Sequence, residues 1–438
     1  MRRARTRADL VTMTPEPPPP ARPVRAFSLI RHPKLWILPT LLSTVLAFLL
    51  SLLYMGGIVS PNKHLHDLPI ALVNMDQGKP PAGQRANLGT QVAEAIRKAP
   101  GDQAEWRLRT RAQAQDELDS GKVYGALVIP ADFTARTLAL TTQGATTRPT
   151  LTVLTNPGKG SLGSSLASRI STTAAQQASK TIGEQLTKAD PAATATTKLL
   201  LADPVQIATA VGHPIGNNSG IGLTAFYYAL LLVLAGFMGG NVIHSGVDGA
   251  LGYADIEMGP LHTRRPTIDV NRTQTLLLKM LMTAGITLIS SSLVMLACVT
   301  ILGIDATHLP LLWLFSYCAT LAVGLGVQAI NAAFGGIGQL IAMFVFIVLG
   351  LPSSGTTVPL QAVPGFYRFL SHFEPMRQLG DGVRAILYFD ARGDAGLTRA
   401  WLMIAVGFAL SLLFGFAMTR YYDRKGHKRF TPQPPLGS

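Results

Sequence analysis

The chain reads as a polytopic α-helical membrane protein with an α/β domain inserted between its first and second spans. Three observations predict this class. Six apolar stretches carry no Asp, Glu, Lys or Arg, and the first, Leu35–Val59, runs for 25 residues. At about 1.5 Å per helical residue that length crosses a hydrocarbon core of about 30 Å. A long hydrophilic insert, residues 60–220, follows it directly. Charged residues make up only 14% of the 438-residue chain, against about 25% in an ordinary soluble protein.

The elements follow in order. Residues 1–21 are Arg-rich and then Pro-rich (Pro15, Pro17–Pro20), a composition that packs no core and predicts a disordered tail. Residues 22–34 mix Val24, Phe27, Leu29 and Ile30 with Arg22, Arg25, Arg31 and Lys34. They read either as a short interfacial helix or as a plain basic flank. The spans are 35–59, 221–247, 280–304, 309–330, 335–352 and 400–419. The first is longer than the apolar region of a signal peptide (about 7–15 residues) and lacks a small-x-small cleavage site, so it is expected to stay as a signal anchor.

Charge orients these spans. The chain carries a formal +14, with eight Lys/Arg against two acids in residues 1–34 and five against one in 419–438. The positive-inside rule then puts both tails in the cytoplasm of a plasma-membrane protein, including the basic tail 420–438. Six spans return the chain to its starting side. The insert and the segment 353–399 fall outside, and 248–279 falls inside. No basic-aromatic module is present, so the charge does not point to nucleic acid. Cys298 and Cys318 both fall in spans, which leaves the outer domain to fold without disulfides.

Within the insert, strand-like and helix-like runs alternate. Leu68–Asn74 reads as a strand, and Gly83–Ala99 as a helix with Leu88, Val92, Ala95 and Ile96 on one face. Trp106–Thr110 alternates like a strand. Arg111–Ser120 reads as a helix stopped by Gly121, Val123–Ile129 as a buried strand, Ala131–Leu140 as a helix and Thr150–Thr155 as a strand. The alternation implies a partly parallel sheet. From Ser161, Leu162, Leu166, Ile170, Ala174, Ala178, Ile182 and Leu186 recur every four residues on one long helix. Spacing leaves two partners open for that stripe: a stalk or second subunit, or the helix's own domain.

Catalytic and nucleotide motifs are absent. Gly158-Lys159-Gly160-Ser161 lacks the first glycine of a phosphate-binding loop, since position 153 is valine. No zinc-peptidase motif, Cys/His cluster or nucleophile elbow occurs, and His64, His66 and His213 merely flank the insert. No enzyme activity, bound cofactor or metal is expected. The spans as bounded above hold no carboxylate, and Lys279 is expected to snorkel at a membrane edge. A transporter of this composition would draw its energy from a partner. Ser290–Ser292, Gln328 and Asn331 read as bonds between helices, and Gly236, Gly240, Gly324 and Gly326 as close-approach positions. The loop 248–275 is long enough for a short helix along the membrane. Its Asp255, Glu257, Arg264 and Arg265 form a mixed-charge candidate for partner docking. The short fifth span ends in Pro352-Ser353-Ser354-Gly355, a pattern compatible with a re-entrant hairpin.

The break at Ser353-Ser354-Gly355, then Pro364-Gly365-Phe366-Tyr367 and Glu374-Pro375…Arg384…Leu387-Tyr388, resembles the C-terminal half of ABC-2-type exporter permeases. Ala71–Gly78 (ALVNMDQG) and Gly121–Phe133 (GKVYGALVIPADF) resemble two signatures of the YhgE/Pip (phage infection protein) branch of that group. The residues carrying the likeness are Asn74, Asp76, Gly78, Gly121, Pro130, Phe133, Ser354, Gly355, Pro364, Pro375 and Arg384. The resemblance implies a bacterial permease subunit, a homodimer or heterodimer among membrane lipids, exporting a hydrophobic or amphiphilic compound. It also implies a separate ABC ATPase docked on the 248–279 loop, so that ATP acts only through the partner. Members of the branch are also described as phage receptors or secretion-system components, so a non-transporting envelope scaffold or receptor is the alternative.

Overall fold

The computed structural model describes residues 33–81, 83–141, 147–189, 195–263, 265–427 and 429. The expected disordered tail 1–21, nearly all of the interfacial segment 22–34, Arg264 and most of the tail beyond 427 lie outside the described residues. The chain divides into two compact units, 1–52 and 53–438. The first holds most of helix α1 (Pro33–Ile58), a charge-free apolar rod beyond Lys34.

After a single turn, α2 (Pro61–His64), the second unit opens with the α/β domain. Its order is β1 (Leu68–Asn74), α3 (Leu88–Lys98), β2 (Ala104–Arg109), α4 (Arg111–Asp119), β3 (Gly125–Ile129), α5 (Phe133–Ala139), β4 (Thr150–Thr155), α6 (Ser161–Ala189), α7 (Ala195–Ala202) and β5 (Gln206–Val211). The sheet order is β2-β1-β3-β4-β5, with β3 and β4 antiparallel and every other neighbour parallel. β1 and β3 are central, so their apolar runs are buried on both faces. Leu72, Leu127, Val153 and Ile129 face α3 and α6, while Ala71, Val73, Ala126 and Leu154 face α4.

Local chemistry fixes the helix starts. The Asn87 side chain accepts from Thr90 N at 2.8 Å, and Thr110 and Gln113 form a reciprocal capping box at 3.2 and 3.0 Å. The four-residue stripe of α6 packs on its own domain. Leu166 joins Leu68, Ile70 and Tyr124, while Ala178, Ile182 and Leu186 join the core under α3. α7 and β5 were not expected, because Pro191 and Pro204 masked a short helix and an exposed edge strand.

The helical part comprises α8 (Thr224–Ala250), a small hairpin β6 (Ile256–Met258) and β7 (Leu261–Thr263), α9 (Arg272–Met295), α10 (Leu309–Phe334), α11 (Gly338–Met343), α12 (Gly350–Ser353), α13 (Gly365–Leu370), α14 (Pro375–Tyr388) and α15 (Leu397–Arg424). Among the described residues five helical stretches are long and apolar enough to cross a membrane: Thr40–Ile58, Thr224–Ala250, Arg272–Ile301, Leu309–Ser353 and Leu397–Arg424. Their outward faces expose Val242, Ile289, Leu410 and Leu413, as lipid-facing helices do.

The expected fourth and fifth spans are thus one 45-residue helical stretch. It reverses at Gly335, whose φ of 60° ends α10. The return leg lies against α10, since a Cβ at Gly326 would stand 2.6 Å from Phe346 Cζ. The loop expected to carry a surface helix instead carries the β6–β7 hairpin, and α9 begins at Arg272, well before Met280, because Asn271 caps it (2.7 Å to Gln274 N). The glycine reading holds for α8 and α10: a Cβ at Gly236 would lie 2.6 Å from Thr320 O, so only a glycine admits this contact.

Candidate functional site

Two polar centres and one apolar groove stand out. The first centre is at the end of the bundle away from the sheet. Lys279 donates to Asp248 Oδ1 at 2.7 Å and lies 2.9 Å from His244 Nδ1. Arg429 binds both Asp248 oxygens, at 2.6 and 2.8 Å. This corrects two expectations. Asp248 belongs to α8 and is buried, so an apolar helix does hold a carboxylate. Lys279 is 3% exposed and does not snorkel. Each carboxylate oxygen meets a cationic donor, which closes the network. Next to it, Gln328 donates to Gly240 O (2.9 Å) and Asn331 to Asn241 Oδ1 (3.0 Å); farther along α9, Ser292 Oγ accepts from Trp313 at 2.9 Å. Ser292, Gln328 and Asn331 thus bond across helices as expected, whereas Ser290 and Ser291 donate back to Thr287 O and Leu288 O of their own helix.

The loop beyond this cluster carries the predicted docking residues. Asp255 lies 3.7 Å from His262 across the hairpin, Glu257 pairs in register with His262, and Arg265 follows the hairpin, exposed. Arg264 lies outside the described residues. Exposed Leu261 and Ile268 sit among these charges.

The second centre joins the sheet domain to α14. The structure separates the signature residues into two sets. In the first, Asn74 Oδ1 accepts from Asp76 N, and Asp76 accepts from Gly78 N (3.0 Å), Gly89 N (2.9 Å), Thr134 N (3.2 Å) and the Thr134 hydroxyl. Phe133 beside them is fully buried, with its amide on Pro130 O. This set ties β1 to α3 and α5.

The second set lies at the domain–bundle junction. Arg384, 3% exposed, donates to Thr356 O at 2.5 Å. Thr356 in turn binds Ser354 Oγ at 2.7 Å, in the turn where Gly355 has φ 66°. Pro364 and Pro375 open α13 and α14. From the domain, Gly121 abuts Phe389, and Lys159 stands 5.2 Å from the Tyr124 ring centroid. Burial pushes Lys159 down to about 8 and Tyr124 up to about 12. His213 bridges Asp119 (2.8 Å) and Tyr388 O (2.6 Å). On the exposed rim Lys122 and Arg392 both bind Asp394 and hold its carboxyl down at about 2.

The groove runs between α10, its return leg, the start of α14 and α15. Its volume is about 450 Å³, and its walls include Ala322, Gly326, Phe346, Phe373, Leu379, Gly407 and Phe414. Gln378 and Ser411 are its polar members. Glu374, between lining residues Phe373 and Pro375, caps α14 by accepting from Arg377 N at 3.2 Å. Burial drives its carboxyl up to about 8. Composition did not reveal Asp248, Arg429 or Gln378. The signals that were present are His244 four residues before Asp248 on one helix, and a Glu-Pro pair that reads as N-cap and first turn.

A family description covering proteins of unknown function, DUF3533, matches residues 39–407. The chain belongs to the DUF3533 family. The matched span takes in most of α1, the whole sheet domain, Asp248 and Lys279 of the charge cluster and most of the groove, so the insert is part of the DUF3533 architecture. No curated protein and no solved structure matches the chain.

Proposed function

We propose that this protein is the membrane permease subunit of an ABC-2-type exporter in a bacterial plasma membrane. It moves a hydrophobic or amphiphilic compound with energy from a separate ATPase. The groove carries this reading. A cavity of about 450 Å³ with almost wholly apolar walls, set among membrane-crossing helices, suits a lipid-soluble substrate. Counting the reversal at Gly335 as a turn between two crossings gives six, with both basic tails in the cytoplasm. The β6–β7 loop then faces the cytoplasm, where exposed Leu261 and Ile268 among Asp255, Glu257 and Arg265 offer a surface to an ATPase. The likeness to the YhgE/Pip branch supports the same assignment and a dimeric permease.

Affinity purification of the full chain in mild detergent, with mass spectrometry and an ATPase assay, tests it. A co-purifying ATPase, lost on Glu257→Lys with Arg265→Glu, is the expected result. No ATPase, together with unchanged export in a deletion strain, overturns the reading.

A second reading, an envelope scaffold or receptor, is favoured by a cleft of about 260 Å³ between α3 and α6, lined by Val92, Ile96, Ala178 and Ile182. It predicts that Ala178→Trp abolishes partner capture while Glu257→Lys leaves it intact.

A further inference from the structure

Two buried acceptor oxygens beside the groove lack partners, while Ser411 contributes a hydroxyl to its lining. Gln378 is 1% exposed and lines the groove; its amide nitrogen donates to Ser371 O, and its Oε1 has no partner. One turn earlier on α14, Glu374 is 3% exposed and its Oε1 also lacks a partner. That oxygen points to Gly350, where a Cβ would stand 2.6 Å away, one helical turn beyond the lining Phe346. No ion pair reaches Glu374 among the described residues: the nearby Arg377 guanidinium goes to Ser371 and Asp381. Among the described residues the groove lining contains no Lys, Arg or His. Three aromatic rings, Phe346, Phe373 and Phe414, contribute to its walls.

An orphaned buried oxygen is costly unless a donor meets it. Two such oxygens, one of them acidic, complement a donor or a positive charge. Aromatic faces attract cations further. An anionic amphiphile would place its charge against Glu374 with no basic group to answer it.

We propose that the groove takes a lipophilic cation, its apolar body against α10 and α15 and its charge answered by Glu374 and Gln378. This deepens the permease reading and rests on it. When the site is empty, Glu374 keeps its proton, as its burial favours. A bound cation takes the proton's place as counter-charge.

The test uses full-length protein in phosphatidylcholine nanodiscs, with empty nanodiscs as the blank. Tetraphenylphosphonium is the cationic probe, and tetraphenylborate is an anion of the same shape. Saturable binding of the cation alone is expected. Glu374→Gln, which preserves the cap on α14, weakens cation binding at least tenfold. Gly407→Phe, which fills the groove, abolishes it. Size-exclusion profiles of both variants report folding, and the cation–anion comparison on the unaltered protein needs no variant. Equal binding of both ions, or cation binding unchanged in Glu374→Gln, overturns the charge assignment and leaves the groove and the permease reading standing. No saturable binding of either ion overturns the proposal, while ATPase co-purification decides the permease reading separately.

Discussion

Lys279 and Asp248 form an ion pair of 2.7 Å in which both side chains are more than nine-tenths buried. They lie 31 positions apart, on two apolar helices, and Arg429 closes the same carboxylate from the C-terminal side. Isolated charges are rarely kept among apolar helices, because desolvation costs several kcal/mol per ion. The pair therefore locks the ends of α8 and α9 together.

The lock is asymmetric. Asp248→Asn strands the buried Lys279 ammonium and is expected to cost about 3–5 kcal/mol, the usual penalty for breaking a buried pair. Lys279→Met leaves Asp248 bound to Arg429 and costs less. The double variant is more stable than Asp248→Asn alone, because Arg429 is partly exposed and can turn to water. Thermal unfolding in detergent measures all three. Simple additivity of the two single effects would refute the coupling.

Glu374 gives the protein a pH dependence of known sign. The folded chain holds its proton up to about 8, against an ordinary 4.5. Below pH 4.5 both folded and unfolded chains are protonated and nothing is lost. Between about 4.5 and 8 the unfolded chain releases a proton that the folded one keeps, so stability falls as pH rises through that window. Glu374→Gln removes this contribution. Melting curves at pH 5, 7 and 8.5 are expected to show the variant gaining on the parent protein as pH rises. Parallel curves would show that Glu374 titrates normally.

Much of the sheet domain is legible in sequence, because its pattern is local. The apolar runs of β1 and β3 announce buried central strands, and Thr110 with Gln113 announces a helix start. The repeat Leu166–Ile170–Ala174–Ala178 announces a one-sided helix, but periodicity cannot say what lies opposite, and the sheet is what lies there. The charge cluster is illegible for a different reason. A span drawn by hydropathy stops at Val247, one residue short of Asp248, and its partners Lys279 and Arg429 come from other segments. The Asp255–His262 hairpin is equally quiet, since three-residue strands carry no period. At the groove, the Glu374-Pro375 start of α14 is visible, whereas the missing partners of Glu374 and Gln378 depend on how four elements meet.

The junction between the sheet domain and α14 turns on Phe389, which is 2% exposed. Two glycines admit its ring: a Cβ at Gly121 would lie 2.9 Å from Phe389 Cε2, and one at Gly158 would lie 2.8 Å from Cζ. The two differ in backbone. Gly121 has φ 63°, which a residue with a Cβ adopts at a cost of about 1–2 kcal/mol, whereas Gly158 has no such restriction. Alanine at either position is therefore expected to destabilise the protein by steric overlap with Phe389, typically about 1–3 kcal/mol. Phe389→Leu shortens the ring and should relieve Gly158→Ala almost fully. It should relieve Gly121→Ala only in part, because the backbone strain remains. Melting temperatures of the two single glycine variants, with and without Phe389→Leu, separate these contributions. Equal rescue at both positions would mean that backbone conformation at Gly121 plays no part.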